Sequence, residues 1–212
     1  MKIAPYILIT LIPLFLILTG FRFVVFDKEF YSNEFAKYGV YDRFGKDTVD
    51  RNSNELIGYL AGKNELNTDF FNDKEKIHLL DVKGLIKQAL FTFNIIGIII
   101  LLLISYLMVN KRFDELGNVA FSSGVTTLIL LILFLGAVAY DFDKLFLGFH
   151  LISFNNDLWM LNPVTDNLIV MFPEGFFYDI SMRMAVITGI FSSVLMIVGL
   201  IARHYPVKTI KY

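Results

Sequence analysis

The sequence predicts an all-α integral membrane protein with four transmembrane helices, as its composition and its long apolar runs both indicate. Of the 212 residues, 56% are hydrophobic and only 18% are charged, whereas soluble domains carry roughly 25% charged residues. Four apolar runs are each long enough to cross a hydrocarbon core of ~30 Å as a helix. We expect these runs to form one integral membrane domain over residues 1–212, and they cover 3–26, 88–110, 116–140 and 184–203.

The first apolar run is expected to be a retained helix rather than a secretory signal peptide. Its apolar core exceeds the roughly 7–15 residues usual in a signal peptide, and no small-x-small cleavage site precedes Phe21-Arg22-Phe23. Pro5 lies near the first turn, where proline is tolerated, and Pro13 predicts a kink. The run therefore counts as the first of the four spans.

Basic residues near the span ends indicate how the chain crosses the membrane. Lys2 precedes the first span, Lys111 and Arg112 lie in the tight turn between the second and third, and three more follow the fourth: Arg203, Lys208 and Lys211. With four spans these regions share one side, which the positive-inside rule assigns to the cytoplasm. We therefore expect a multi-pass protein of the cell membrane with cytoplasmic N- and C-termini and two extracytoplasmic segments, 27–87 and 141–183.

The first outer segment, between spans one and two, is too long to be a plain loop and is expected to contain helices. Its beginning mixes aromatic and charged residues without a strict period, whereas Ser53–Ala61 has apolar residues at helical spacing. Asn72 or Asp73 is placed to cap a helix over Lys74–Lys83. A bend is expected near Gly84, where that helix meets the second span.

The second outer segment, between spans three and four, is shorter and unusually apolar for a loop. Leu145–Phe154 is too apolar to float in water and too short to span, so we expect a short interfacial helix or a re-entrant piece. The only tryptophan, Trp159, suits the headgroup level of a membrane. Leu168–Phe172, which ends at Pro173, is expected to be extended or interfacial.

Composition and motifs exclude several classes of chemistry. A net charge of −1 gives no basic field for nucleic acid, so no such partner is expected. The absence of cysteine removes disulfides, thiolate nucleophiles and cysteine-ligated metals. Ser122-Ser123-Gly124 does not form a Gly-x-Ser-x-Gly elbow and is interpreted as helix packing. No span carries a charge at its middle, so an ion pathway is not indicated.

Two of the three histidines, His78 and His150, fall on the outer segments close to span ends, at the depth of lipid ester groups. A neutral imidazole accepts a proton near neutral pH, and an imidazolium stabilises a developing oxyanion. On a helix, Asp81 shares a face with His78, so its carboxylate is placed to orient that ring and raise its basicity. These residues therefore form a candidate catalytic group.

Two other interpretations of the same residues stay open at this point. In the first, both histidines are ordinary interfacial polar residues without a chemical role. In the second, His78, Asp81 and His150 bind a metal ion, although no His-Glu-x-x-His or comparable local spacing supports this. No metal site is predicted.

Three motifs resemble a known family. Glu75-x-x-His78-x-x-Asp81-Val82-Lys83 stands before a span, and Phe149-His150 follows the next one. Trp159-Met160-Leu161-Asn162-Pro163 and Phe172-Pro173-Glu174-Gly175-Phe176-Phe177 come later. In length, span order and motifs, essentially the whole chain is similar to the lipoprotein intramolecular transacylases of Gram-positive bacteria.

The resemblance implies a four-helix membrane enzyme with its active site on the extracellular face. The substrate would be a diacylglyceryl lipoprotein without its signal peptide, and membrane lipid would surround the protein. The sn-2 acyl chain would move to the α-amine of the substrate's N-terminal cysteine, which gives the lyso-form lipoprotein. His78 and His150 match the family's proposed catalytic positions. A monomer that uses no cofactor is expected.

The expected mechanism makes His78 the base, oriented by Asp81. His150 would stabilise the oxyanion or protonate the leaving oxygen, and the two roles are interchangeable. The expected substrate-binding residues are Phe149, Phe154, Trp159 and Lys83. Unless the lysine turns into the site, it would snorkel to the headgroups.

A non-enzymatic adaptor or sensor, whose outer segment binds a partner, is the alternative function. The separation of the two imidazoles discriminates between these functions. Rings more than about 10 Å apart, with no shared cavity, would argue against catalysis at one site.

Overall fold

Helices of very different lengths form the computed structural model, which describes residues 2–204. No strand occurs within that range, in agreement with the predicted all-α class. The helices of the described chain are α1 (Ala4–Val24), α2 (Lys28–Lys37), α3 (Val40–Phe44), α4 (Lys46–Leu60), α5 (Asp73–Val109), α6 (Phe113–Tyr140), α7 (Phe142–Ser153), α8 (Asn167–Met171) and α9 (Glu174–His204).

Four of these helices, α1, α5, α6 and α9, are long and apolar enough to cross a membrane. They contain the four predicted apolar runs, which confirms the four-span class. Two of them begin well before those runs, α5 at Asp73 and α9 at Glu174. Charged residues are frequent in these early turns, so we take the membrane-spanning parts of α5 and α9 to be 88–109 and 184–203.

The described chain divides into two compact units. The first comprises residues 2–22, 90–136 and 183–204, and the second comprises residues 23–89 and 137–182. That all of these residues form one integral membrane domain stays a prediction.

The first unit has an apolar core built on one face of α1. Ala4, Leu8, Ile12 and Leu16 recur every four residues and therefore lie on the same side of the helix. All four are buried, and they pack with buried side chains of α5 and α6, namely Ile96, Ile100, Leu107 and Val119.

Glycines allow α6 and α9 to approach closely within this unit. A Cβ at Gly199 would lie 2.2 Å from the backbone nitrogen of Phe121, and one at Gly124 would lie 2.8 Å from the Ser192 carbonyl oxygen. Small residues bring helix backbones together in membranes, where packing rather than hydrophobic burial drives helix association. The close contact therefore depends on the missing side chains.

Aromatic rings form the core of the second unit. Tyr31 and Phe35 of α2 meet Phe172 and Phe176 with ring centroids 5.1–6.3 Å apart. The Tyr31 hydroxyl, which is also buried, donates to the Val25 carbonyl oxygen at 2.9 Å. Because α2 is stabilised by this tertiary packing, its sequence pattern alone did not predict it.

The helix α4 begins at Lys46, earlier than the predicted start at Ser53. Its Glu55 carboxylate accepts hydrogen bonds from the backbone N–H groups of Asn67 at 2.7 Å and Thr68 at 2.9 Å. This side chain therefore fixes the segment that follows the helix.

Asn72 is the N-cap of α5, which is one of the two residues, Asn72 or Asp73, that the sequence predicted for this position. Its Oδ1 accepts the backbone N–H of Glu75 at 3.0 Å, the usual capping geometry. The helix then runs without a break through Gly84. The polar stretch with His78 and the second apolar run therefore belong to one helix instead of two.

The two apolar stretches of the second outer segment are both helical. Residues 145–154 fall largely in α7, as expected, and no residue of that helix is buried. Leu168 and its neighbours form the short helix α8, so the expectation of an extended segment was wrong. Pro173 follows soon after, and proline does not continue a helix that precedes it.

The orientation of the chain in the membrane stays a prediction. Lys111 and Arg112 do lie in the short turn between α5 and α6. Lys208 and Lys211, which contribute to the expected cytoplasmic charge, are outside the described residues.

The close approach of α6 and α9 predicts that a glycine-to-alanine substitution changes stability differently at two positions. Gly199→Ala should lower the free energy of unfolding by about 1–3 kcal/mol, because the new methyl meets the α6 backbone. Gly136→Ala is the matched control, since nothing lies within 4 Å of a Cβ there, and helix propensity should leave it equally or more stable. Thermal unfolding in detergent micelles measures both, and equal melting temperatures would contradict the close approach.

Candidate active site

His78 lies in the first turns of α5 and is almost entirely buried, with 7% of its surface exposed. The Phe154 ring packs edge-on against it, with centroids 5.0 Å apart. Its Nδ1 is inaccessible and has no hydrogen-bond partner among the described residues. Leaving a buried polar atom unpaired costs roughly 1–3 kcal/mol, so this arrangement requires an explanation beyond stability.

His150 lies near the end of α7 and has a defined tautomer. Its Nδ1 is 2.8 Å from the carbonyl oxygen of Phe146, one helical turn earlier. A carbonyl oxygen only accepts hydrogen bonds, so Nδ1 carries the proton and donates it. The lone pair is therefore on Nε2, which is free to accept a proton from a substrate.

The structure brings the two imidazoles together. Their ring centroids are 6.5 Å apart and the ring planes differ by 29°. Phe154 contacts both rings, with centroids 5.0 Å from that of His78 and 5.7 Å from that of His150. The separation lies within the limit of about 10 Å for a shared site.

The predicted aromatic residues surround the histidines. Trp159 lies 5.0 Å from His150 between ring centroids, and Phe149 lies 5.5 Å from the same ring. Phe149 is also 6.5 Å from Phe154 and remains 54% exposed. One apolar wall thus lines the site and continues to the surface.

Asp81 does not orient His78 by a hydrogen bond, contrary to the sequence-based expectation. Its Oδ2 instead accepts from Nδ2 of Asn156 at 2.9 Å. The two side chains share a helical face, but the buried imidazole is packed against Phe154. Asp81 therefore acts on His78 only through its charge, and by direct contact it holds the loop that contains Asn156.

Lys83, also predicted to bind substrate, lies over an aromatic ring. Its Nζ is 3.7 Å from the centroid of Tyr59, a cation–π contact. Among the described residues this ammonium makes no hydrogen bond or ion pair. The structure thus joins α4 to α5 through Lys83 and does not bring this lysine to the histidines.

The electrostatic environment keeps His78 neutral. Burial is the largest cause that lowers the pKa of His78, from 6.5 to about 4, and the charges of His150 and Lys74 lower it further. The negative charge of Asp81 opposes them. Because that opposition is the weaker effect, the imidazole is uncharged at neutral pH.

The residues that sequence reasoning missed act through contacts distant in the chain or through the backbone. Phe146 contributes a carbonyl oxygen, which its side-chain type does not reveal. Its position four residues before His150 on an apolar helix was the available signal. Asn156 and Tyr59 pair with Asp81 and Lys83 across loops, and no local pattern indicates such pairs.

The metal-binding interpretation has no assembled ligand set. Among residues 2–204, no group of three or more histidine, aspartate or glutamate side chains is placed to hold a metal ion. Asp81 is engaged with Asn156 instead. The predicted absence of a metal site stays a prediction.

Comparison with known proteins places the chain beside one family. The family model described as lipoprotein intramolecular transacylase Lit matches residues 6–177. The match contains both histidines and all of the aromatic residues around them. It covers most of the chain.

Solved structures of the membrane-integral lipoprotein intramolecular transacylase Lit from Bacillus cereus have the same fold. One aligns with a TM-score of 0.82 and 24% identity over 92% of this chain and 91% of that one. Two variants of that protein, with a histidine replaced by arginine or by alanine, align with TM-scores of 0.78 and 0.79 at 23% identity. They cover 94% of this chain and 90% and 92% of their own.

A curated relative from Aquifex aeolicus, described as an uncharacterized protein, is 27% identical over 136 residues. The aligned stretch is 64% of this chain and 59% of that protein. The chain thus spans about three fifths of this relative's length.

The lowered pKa of His78 predicts that stability is lost as the pH falls. The unfolded chain takes up this proton near pH 6.5, whereas the folded chain does so only near pH 4. The contribution is therefore fully present above pH 6.5 and declines between pH 6.5 and 4. At pH 5 the wild type should have lost about 2 kcal/mol relative to His78→Gln, which has no such proton.

Thermal unfolding in micelles between pH 7.5 and 5 measures this difference. Parallel pH dependence of the wild type and His78→Gln would contradict the assigned shift in pKa. A variant at the exposed His204 serves as a control for replacement of a histidine outside the site.

Proposed function

Since the chain belongs to the lipoprotein intramolecular transacylase family, a family of membrane-integral acyltransferases, we propose that it converts diacylglyceryl lipoproteins to the lyso form. The sn-2 acyl chain moves from the glycerol to the α-amine of the N-terminal cysteine. The observation that carries this proposal is the pair of imidazoles 6.5 Å apart with different hydrogen-bonding states.

The reaction is an aminolysis of an ester within one substrate molecule. The amine nitrogen attacks the sn-2 carbonyl carbon, and the carbonyl oxygen becomes an oxyanion. The carbon–oxygen bond to glycerol then breaks and an amide remains. One proton leaves the nitrogen and one reaches the glycerol oxygen, so the protein supplies neither a nucleophile nor a cofactor. It has to supply a base, an oxyanion donor and a fixed substrate geometry.

His150 is the base in this proposal. Its Nδ1–H donates to the Phe146 carbonyl, which leaves the Nε2 lone pair for the proton of the attacking amine. A backbone acceptor on the far side of the ring also stabilises the imidazolium that forms. The same His150 then returns the proton to the glycerol oxygen as that group leaves.

His78 is the oxyanion donor in this proposal. Its fully buried Nδ1 has no partner, and an unpaired buried N–H is the less tolerated alternative. The proton therefore belongs on Nε2, which faces the reacting group as a neutral N–H donor. A neutral imidazole in this role needs a pKa well below 7, and burial provides that condition.

The sequence left the two roles interchangeable, and this proposal takes the assignment in which His150, not His78, is the base. Asp81 contributes less directly, through its charge on His78 and its bond to Asn156. Donors aimed at a developing oxyanion are typically worth 10²–10³-fold in rate. Holding amine and ester in a near-attack arrangement is worth ~7–11 kcal/mol in model reactions, so positioning is the larger contribution.

The aromatic wall is proposed to hold the acyl chains at the membrane surface. Leu151 and Ile152 of α7 are 61% and 88% exposed, which supports contact with lipid. The site would then lie at the extracellular membrane–water interface, with cytoplasmic termini as the basic residues indicate. Of the predicted substrate-binding residues, Phe149, Phe154 and Trp159 are kept in this role, and Lys83 is proposed to reach headgroups from its position over Tyr59.

Replacement of each histidine by glutamine should separate the two proposed roles. Glutamine donates an N–H but does not accept a proton at neutral pH. His78→Gln should therefore keep part of the activity, with a loss of about 10-fold. His150→Gln should lose about 10²–10⁴-fold, the usual contribution of a general base. Mass spectrometry of lipoprotein N-termini, in a host that makes only the diacyl form, gives the conversion.

The controls are the two alanine substitutions, which should both abolish conversion. A larger loss in His78→Gln than in His150→Gln would exchange the two roles. Full conversion by both alanine variants would reject catalysis by these histidines. A wild type that gives no conversion would instead favour the adaptor or sensor.

Asp81→Asn should have a small effect on activity. Asparagine still accepts the hydrogen bond from Asn156, so the loop stays in place, and only the charge is lost. We expect a decrease of less than about tenfold, in contrast to the ~10⁴-fold loss when a carboxylate orients a catalytic histidine directly. A loss of that larger size in a steady-state assay would show that Asp81 contacts His78 in the substrate complex.

A further inference from the structure

Glu75 is a fully buried carboxylate, with 1% of its surface exposed, one helical turn before His78. Its Oε2 accepts the backbone N–H of Asn72 at 2.6 Å, and its Oε1 accepts that of Leu168 at 2.5 Å. The Asn167 N–H also donates to this carboxylate. A buried acid is expected only where it is well paired, and here every partner is a backbone donor.

The three donors belong to the beginnings of two different helices. Asn72 and Glu75 form a reciprocal capping box at the start of α5, since Asn72 Oδ1 accepts the Glu75 N–H in return. Asn167 and Leu168 are the first residues of α8, whose free N–H groups require acceptors. One carboxylate therefore caps two helices.

α8 depends on Glu75 because its own N-cap residue is engaged elsewhere. Asp166 makes no capping hydrogen bond to α8. Its carboxylate accepts instead from the Asn162 N–H, the Thr165 hydroxyl and Asn72 Nδ2. The Leu168 N–H has no other acceptor in the described chain, so it is satisfied by its hydrogen bond to the Glu75 carboxylate.

The segment that ends at α8 contains the aromatic wall of the site. Residues 154–166 begin at Phe154, which contacts both imidazoles, and include Trp159, which packs on His150. At its far end this segment is held to the helix of His78 through Glu75. Lys74 adds a second tie, as its ammonium donates to the Met160 carbonyl oxygen at 2.5 Å.

We propose that Glu75 is a positioning residue for acyl transfer, which holds the segment of Phe154 and Trp159 in register with His78. This inference rests on the proposed function, because the aligned groups are those of the transfer site. Glu75 itself contacts neither imidazole by a hydrogen bond. It acts through the backbone of the two helices that it caps.

The chemistry of the position requires a carboxylate. Both oxygens of a carboxylate accept, whereas glutamine presents one oxygen and one NH₂ group. In Glu75→Gln, the NH₂ group would face a backbone N–H, whichever way the amide is turned. Burial raises the pKa of Glu75, and the backbone N–H donors act in the opposite direction. The volume of the side chain is unchanged, so the variant removes an acceptor without leaving a cavity.

Glu55→Gln is the matched control. Glu55 also accepts two backbone N–H groups, those of Asn67 and Thr68, but both bonds are to Oε1, so the single oxygen of glutamine can keep them. It belongs to the same unit but does not tie the histidine helix to the aromatic wall. Any general effect of this substitution on the fold should therefore appear in both variants.

The experiment uses the full-length protein in micelles with a synthetic S-diacylglyceryl cysteine peptide. For Glu75→Gln we expect kcat to fall about 10–100-fold with KM within about threefold, since misplacement by ~1 Å costs about 10²-fold. Glu55→Gln should keep wild-type kcat. Trp159 is the only tryptophan, so its emission reports the wall directly, and it should shift in Glu75→Gln alone.

Three results would overturn the proposal: an unchanged kcat in Glu75→Gln, an unchanged Trp159 emission, or equal changes in both variants. If Glu75→Gln does not fold, Glu75→Asp is measured in its place, because aspartate keeps both acceptor oxygens on a shorter side chain. The fluorescence measurement needs no turnover. If the wild type does not convert the peptide, the proposed function is rejected. The Trp159 emission of Glu75→Gln would still test whether Glu75 positions the aromatic wall.

Discussion

One backbone carbonyl in α7 makes His150 different from His78. The Phe146 oxygen accepts the Nδ1 proton of His150 and leaves that ring with a basic nitrogen on its other side. His78 has no such acceptor, and burial keeps it uncharged. Two chemically identical side chains thereby become a proton acceptor and a neutral donor, although their centroids are only 6.5 Å apart. Without that hydrogen bond, neither nitrogen of the His150 ring would be fixed as the proton acceptor.

At His78 the site is stabilised by the groups around the ring and not by hydrogen bonds of the ring itself. His78 lacks hydrogen bonds, which costs stability, while the groups beside it are strongly paired. Glu75 caps two helices, Asp81 holds Asn156, and Lys83 lies over Tyr59. This distribution is expected where a reactive group must remain available, because hydrogen bonds to the group itself would compete with the substrate. Neighbouring residues therefore supply the order that the His78 ring does not supply for itself.

The parts of this fold that follow from chain-local physics could be predicted, and the parts that need distant partners could not. The thickness of the bilayer sets the length of the four apolar runs, so the four spans could be predicted from the sequence. The pairing of His78 with His150 was predicted from a motif resemblance and from the position of both residues near span ends. By contrast, Asp81 pairs with Asn156, far along the sequence, and nothing around Asp81 indicates this. Helix α2 was not predicted for the same reason, because it is stabilised by ring contacts with Phe172, which is distant in the sequence.

A neutral His78 also fits the charge of the proposed substrate. The free α-amine of a peptide has a pKa of about 7.7–8.0, so it is mostly protonated at neutral pH and must lose that proton before it attacks. A cationic His78 would repel the ammonium by about 1–4 kcal/mol at contact distance and would disfavour binding. The lowered pKa removes this repulsion and leaves an N–H donor for the carbonyl. After attack, the nitrogen of the tetrahedral intermediate is far more acidic than the free ammonium, so the Nε2 of His150 suffices as the acceptor. Burial of one imidazole and a backbone bond to the other would thus meet both requirements of the proposed reaction.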